Sequence, residues 1–309
     1  MPDALSSGNA FKATNNILGL PYREGIPERR GVIMTKEITR ETIIATLRDR
    51  NYNAIPNDVV KNGVMLQGIT IRNETNIAPT IYIDKLIEIF PNLDDIVENI
   101  INTYEANKSI DINISNLSDP NWILDHLYIA LQKSSNEPLI KRTCELEDIE
   151  QFLYIRGNSA HESWSVKLNA DIMKTAHLTI DEVWEAAKNN TFFSNETVIQ
   201  SIAEILFGII ECPFDTASDM SFPEMYVITN KSKTRGSVQV LDKAAIRSYF
   251  PENIHRLVCI PSSIHECILI PVGNEDVDIE MFNAMVQEVN SSEVDATEQL
   301  GSHIYILQI

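Results

Sequence analysis

The sequence predicts an α+β fold in which β-hairpins alternate with helices, forming antiparallel or mixed sheets flanked by helices. Three observations carry this reading. Runs of β-branched and aromatic residues come in pairs separated by short polar turns. Most pairs are followed by an Asp, Asn or Thr placed to cap a helix. The segments after those caps set apolar residues at i, i+3, i+4 and i+7. The intervals between successive units are unequal, so the recurrence is one of architecture and not of a fixed repeat.

Residues 1–34 hold Gly8, Gly19, Gly25 and Gly31 with Pro2, Pro21 and Pro27 and show little periodicity, which reads as a poorly ordered N-terminal extension. A first helix is expected over Ile38, Thr42, Ala45 and Leu47. Residues 64–72 and 80–83, joined by a turn at 73–76, predict two strands, with Asp84 capping the next helix. Another helix rests on Leu93, Ile96, Val97, Ile100, Ile101 and Tyr104. A second strand pair is expected at 151–155 and 165–168 about a turn at 157–159, with Asn169 in the capping position. Thr179 and Glu182 form a capping box, each side chain able to satisfy the other's free backbone donor, and open a helix through Trp184, Ala187 and Asn190.

A third strand pair is expected at 225–228 and 238–241, followed by Asp242 and a helix around Ala245, Ile246, Tyr249 and Phe250. A fourth pairs 257–261 with 267–270; a helix over 279–289 and a strand over 303–307 complete the pattern. Grouped by these recurring units, the body divides into α+β regions at 35–135, 140–215 and 222–309.

At 309 residues and 44% hydrophobic composition, the chain can bury roughly 75% of its unfolded surface without disulfide or metal staples. Its formal charge of −19 argues against direct nucleic-acid binding, which needs clustered Lys and Arg. The acids are spread along the chain, as on a solvating surface. No run approaches the ~20 apolar residues of a membrane span and the first residues are not signal-like, so no membrane association and a cytoplasmic location are expected. Cys144, Cys212, Cys259 and Cys267 form no CxxC pair, which reads as reduced thiols, Cys259 and Cys267 being able to face each other across a hairpin.

Chemistry-bearing residues concentrate at residues 261–266. Ser262 or Ser263 as nucleophile, His265 as base and Glu266 as orienting carboxylate would divide the labour of a triad. In an extended strand, however, Ser263 and His265 share one face while Glu266 points to the other. The competing reading is a tight hairpin whose serines bond their own backbone. His265-Glu266 starts like a zinc-protease motif, but Leu269 stands where the second histidine must be. Residues 274–280 alternate oxygen ligands as a calcium loop does, yet Ile279 and Met285 replace its glycine and bidentate acid; the acids suit a helix N-terminus instead. His126, His161, His177, His255 and His303 are scattered and could meet only through the fold, so a metal site has no sequence support; no phosphate-binding glycine loop or dinucleotide fingerprint occurs, and no cofactor is expected.

Residues 77–83, 178–190, 225–230, 260–266 and 285–290 together resemble, in this order, a family of uncharacterised bacterial proteins, a domain of unknown function common in anaerobic gut Firmicutes and often carried on mobile elements. The resemblance spans about residues 36–309. The chain departs from it in its N-terminal extension and in Leu241-Asp242, where the family tends to a Tyr-Pro pair. It implies no activity, cofactor or catalytic residue. Three functional readings follow: a non-catalytic binding or regulatory protein with a protein partner, linked to a mobile element; a serine-type hydrolase centred on Ser263 and His265; and an acidic inhibitor of a nucleic-acid enzyme.

Overall fold

A computed structural model describes residues 38–73, 80–108, 114–158, 163–194, 196–207, 224–273 and 277–309. The N-terminal extension, His161, Cys212 and the start of the acidic 274–280 run lie outside them. The fold is α+β, with antiparallel sheets and helices, in two packing units: residues 1–60 with 65–112, and residues 61–64 with 113–309.

In the first unit α1 (Arg40–Asp49) starts at Thr39, whose hydroxyl accepts the Thr42 N–H while the Thr42 hydroxyl accepts the Thr39 N–H. Along the chain follow β1 (Ala54–Pro56), β2 (Val59–Lys61), β3 (Val64–Leu66), β4 (Gly68–Ile71) and β5 (Thr80–Tyr82), of which residues 61–64 fall in the second unit, then α2 (Asp84–Ile89) and α3 (Leu93–Asn107). The predicted strand at 64–72 is in fact two. Asn62 and Gly63, both at positive φ, fold β3 back on β2, while β4 pairs with β1 and β5. At the break, the Gln67 N–H donates to the Asp84 carboxylate at 2.9 Å. Asp84 is therefore not the cap of α2 as expected; Ile83 holds that position, without a side-chain bond. Ile43 and Leu47 of α1 and Ile96, Val97 and Ile100 of α3 bury against Ile69 and Ile71 of β4, each worth roughly 1.5–3 kcal/mol when fully covered.

The second unit carries α4 (Pro120–Asp125), β6 (Leu127–Lys133), β7 (Lys141–Thr143), β8 (Ile149–Asn158), β9 (Ser163–Lys167), α5 (Ala170–Thr175) and α6 (Ile180–Lys188). Then come β10 (Thr197–Ser201), α7 (Ile202–Phe207), β11 (Tyr226–Asn230), α8 (Lys243–Tyr249), β12 (Arg256–Ile260), β13 (Cys267–Val272), α9 (Ile279–Ser292) and β14 (Tyr305–Gln308). One sheet runs β6-β8-β7 with β9 on β8; the other runs β10-β11-β13-β12-β14. A single core takes Leu127, Ile129, Leu153 and Ile155 from the first sheet and Ile228, Leu257, Cys267 and Leu269 from the second. Caps at Asn169, Thr179 and Asp242 form as the sequence predicts, and Cys259 and Cys267 are buried free thiols.

The third strand pair differs from expectation. Residues 236–241 form a 3-10 helix, and β11 pairs with β10 and β13. In a strand Ser237 and Gln239 would share one face. Both are buried: the Ser237 hydroxyl donates to the Ile264 carbonyl at 2.8 Å and the Gln239 amide to the Thr191 carbonyl at 3.1 Å. Satisfying them inside removes the reason for alternation. Helix α6 also continues beyond its cap as a π-helical turn over Asn189–Phe193, in which Asn190 donates to the Leu124 and Leu127 carbonyls.

Candidate functional site

The segment Ser262–Glu266 joins β12 to β13 and is fastened from several sides. The Ser263 N–H donates to the Glu266 carbonyl at 3.1 Å, the Ile264 N–H to the Glu298 carbonyl at 2.8 Å, and the Thr229 hydroxyl to the His265 carbonyl at 2.8 Å. Ile264 plugs into the core. The Ser263 hydroxyl accepts the His265 backbone N–H at 3.0 Å, the local turn bond that serine supplies. His265 Nδ1 accepts the Arg235 backbone N–H at 3.2 Å. A neutral ring that accepts at Nδ1 carries its proton on Nε2, here 3.8 Å from Glu298 Oε1. Its proximity to His265 holds the Glu298 carboxyl below the usual carboxylate range.

The four sequence candidates are thus close together, but no hydrogen bond joins the Ser263 hydroxyl to the imidazole. The nitrogen that would act as base is committed to a backbone donor. What the arrangement does is fix the backbone at Arg235.

Arg235 sits at φ 52°, in the left-handed region, at the head of the 3-10 helix. Asn230 builds the turn before it, its amide donating to the Thr234 carbonyl at 2.9 Å and its side-chain carbonyl accepting from the Thr234 N–H and the Ser232 hydroxyl. Gly236 follows because nothing larger fits: a Cβ there would lie 2.3 Å from Thr229 Oγ1, 2.5 Å from Asn230 N and 2.8 Å from the His265 carbonyl oxygen.

So held, the Arg235 guanidinium lies 5.4 Å from both the Phe152 and Tyr154 ring centroids. The platform follows from strand alternation. Odd residues of β8 and β6 enter the core, while Phe152 and Tyr154 of β8 stand on the other face beside Ala130 and Tyr128 of β6. Lys167, opposite Tyr154 on β9, places its ammonium 5.0 Å from the Phe152 centroid and 2.6 Å from Glu137 Oε2. Farther along, Glu150 accepts from Gln132 and Ser135 and pairs with Lys141 at 3.1 Å.

Two groups in this polar field are uncommitted. Among the described residues the Arg235 side chain makes neither a hydrogen bond nor an ion pair, although its nitrogens retain access to solvent. Glu137 Oε1 is buried without a donor. Burial pushes the Arg235 pKa down and does the same to Lys167, against the opposing pull of Glu137; Arg235 still keeps its charge at any working pH. A half-buried guanidinium 5.4 Å from two ring centroids, without a hydrogen-bond partner among the described residues, is suited to an oxyanion.

Sequence reasoning missed Arg235. The available signal was Thr-Arg-Gly at 234–236 between a strand and a misread strand, where a glycine after a turn marks close backbone approach.

A family model matches residues 35–308, nearly the whole chain, and the family is described as one of unknown function (DUF5688). The chain belongs to the DUF5688 family. No curated protein and no solved structure matches it significantly. Every residue of the Arg235 platform and of its clamp falls inside the DUF5688 match. Among the described residues no group of three or more His, Cys, Asp or Glu is arranged to hold a metal ion, and no helix is long and apolar enough to cross a membrane.

Proposed function

We propose that this protein is a non-catalytic binding protein whose recognition centre is Arg235, taking a small oxyanion of the carboxylate or phosphate kind against Phe152 and Tyr154. The observation that carries the reading is the uncommitted guanidinium beside a buried aromatic pair. Partial burial of the charge disfavours it, and a bound anion offsets that cost with charge-assisted bonds to the solvent-accessible nitrogens. Lys167 adds a second positive charge, and the buried Glu137 oxygen offers an acceptor to a donor on the same ligand. The reading is further supported by His265, whose ring accepts the Arg235 backbone N–H, and by Ser263, whose hydroxyl accepts the His265 backbone N–H.

The test is thermal unfolding with phosphate, succinate, citrate and glutamate at fixed ionic strength. A ligand present at a hundred times its Kd stabilises by about 2.7 kcal/mol, which raises Tm by roughly 5–10 °C in a unit of this size. Wild type is expected to respond to at least one anion, Arg235→Lys weakly and Arg235→Gln not at all. Equal responses in wild type and Arg235→Gln, or none in wild type, contradict the proposal.

A further inference from the structure

Among the described residues strand β14 lies at the edge of the five-stranded sheet and pairs only with β12. Its register settles which backbone groups are spare. The Ile309 N–H donates to the His255 carbonyl, and the pairing Arg256↔Gln308 continues with Leu257↔Leu307 and Cys259↔Tyr305. In an antiparallel ladder, hydrogen-bonded and non-bonded pairs alternate. Residues 305, 307 and 309 therefore bond to β12, and residues 304, 306 and 308 direct their N–H and C=O away from it. The outward Ile304 N–H is taken by the Asn283 side chain at 2.9 Å. Those of Ile306 and Gln308 have no partner among the described residues.

A groove of about 510 Å³ is lined by residues 303–309 together with Glu145, Glu147, Lys243 and the apolar Leu146, Val240 and Ile246. Its charged side chains are two carboxylates and one ammonium. Lys243 is paired with Glu145; Glu147 is exposed and, among the described residues, holds no ion pair, while its carbonyl accepts the Tyr305 hydroxyl at 2.7 Å.

We infer that this groove takes an extended, Lys- or Arg-bearing segment of a partner protein, which adds to the sheet as a strand beside β14. The backbone of Ile306 and Gln308 supplies the ladder bonds, and Glu147 receives a basic side chain. Charge chooses the occupant: a second copy of this chain, also at −19, brings acid to acid, whereas a basic segment is attracted both locally and by the net charge. This inference is independent of the Arg235 site.

The test uses the full chain and a fluorescein-labelled ten-residue peptide of alternating Lys and Val, with an alternating Glu–Val peptide as control. Saturable binding of the Lys–Val peptide is expected, weakened by salt and by Glu147→Gln. Gln308→Pro removes one outward N–H at an exposed edge position, where proline is tolerated, and is expected to weaken binding about tenfold; Gln308→Ala is expected to bind like wild type. Amide exchange supplies a readout that needs no variant: the Ile306 and Gln308 amides become protected in the complex. Absence of Lys–Val binding, binding without that protection, equal binding of the Glu–Val peptide, or a dimer abolished by Gln308→Pro overturns the inference.

Discussion

Arg235 owes its position to neighbours that never touch its guanidinium. Gly236 is the most sensitive of them. A methyl group there meets two backbone atoms and the Thr229 hydroxyl inside 3.0 Å, so Gly236→Ala is expected to cost about 2–3 kcal/mol by overpacking, read as a lowered urea midpoint, and to abolish the anion response. The His265–Glu298 contact predicts a pH dependence. The Glu298 carboxyl titrates below its ordinary value in the folded chain. Its contribution to stability is therefore present above the unfolded value of about 4.3 and is lost as pH falls through the folded value. In His265→Gln the carboxyl returns toward its ordinary value, and less stability is lost on acidification. Urea midpoints at pH 7, 5, 4 and 3 check this; identical acid limbs in the two proteins contradict it. At this scale the sequence disclosed the clamp but not what it holds. Ser262, Ser263, His265 and Glu266 attracted notice because they are adjacent, whereas Arg235 meets Phe152 and Tyr154 from more than eighty positions away and only through the fold.

Elements were legible where local chemistry decides them. Thr179 with Glu182 forms the reciprocal cap of α6, and Asn169 and Asp242 cap α5 and α8, because a short oxygen-bearing side chain before an apolar stripe satisfies helix-end donors wherever it occurs. The pairings β8–β9 and β12–β13 likewise follow from alternation, although β8 runs on through Gly157 and Asn158, where the turn was expected. Elements decided by distant partners were not legible. Strand β6 was passed over; its place at the edge of the sheet beside β8 depends on pairing with residues some twenty positions on. The 3-10 helix at 236–241 was read as a strand because the partners of Ser237 and Gln239 lie on other elements. Asp242 joins both kinds of determinant: it caps α8 through the Ala245 N–H at 3.0 Å and accepts the Thr197 hydroxyl of β10 at 2.8 Å. Asp242→Ala is expected to destabilise by about 1–2 kcal/mol and Asp242→Asn by less, since the amide oxygen retains the cap. Chemical denaturation of both variants measures the difference, and equal losses would remove the cap from the account.

Over the whole molecule, composition set the limits and topology supplied the site. A charge of −19 makes an isolated, positively charged aromatic platform the feature most at odds with its surroundings, and therefore the most informative one. The two packing units each have a core, one built on Ile43, Leu47, Ile96 and Ile100 and the other on both sheets of the second unit. The platform belongs wholly to the second. The central claim is that Arg235 is uncommitted until an oxyanion binds. Its most direct measurement is the Arg235 side-chain N–H resonance, followed by NMR in the free protein and during phosphate or succinate titration, with Glu137→Gln alongside. The account predicts a solvent-exchanging signal in the free protein, indifferent to Glu137→Gln, that shifts and becomes protected as the anion saturates. A signal already protected without anion, and released by Glu137→Gln, would make Arg235 one half of an internal ion pair and contradict the claim.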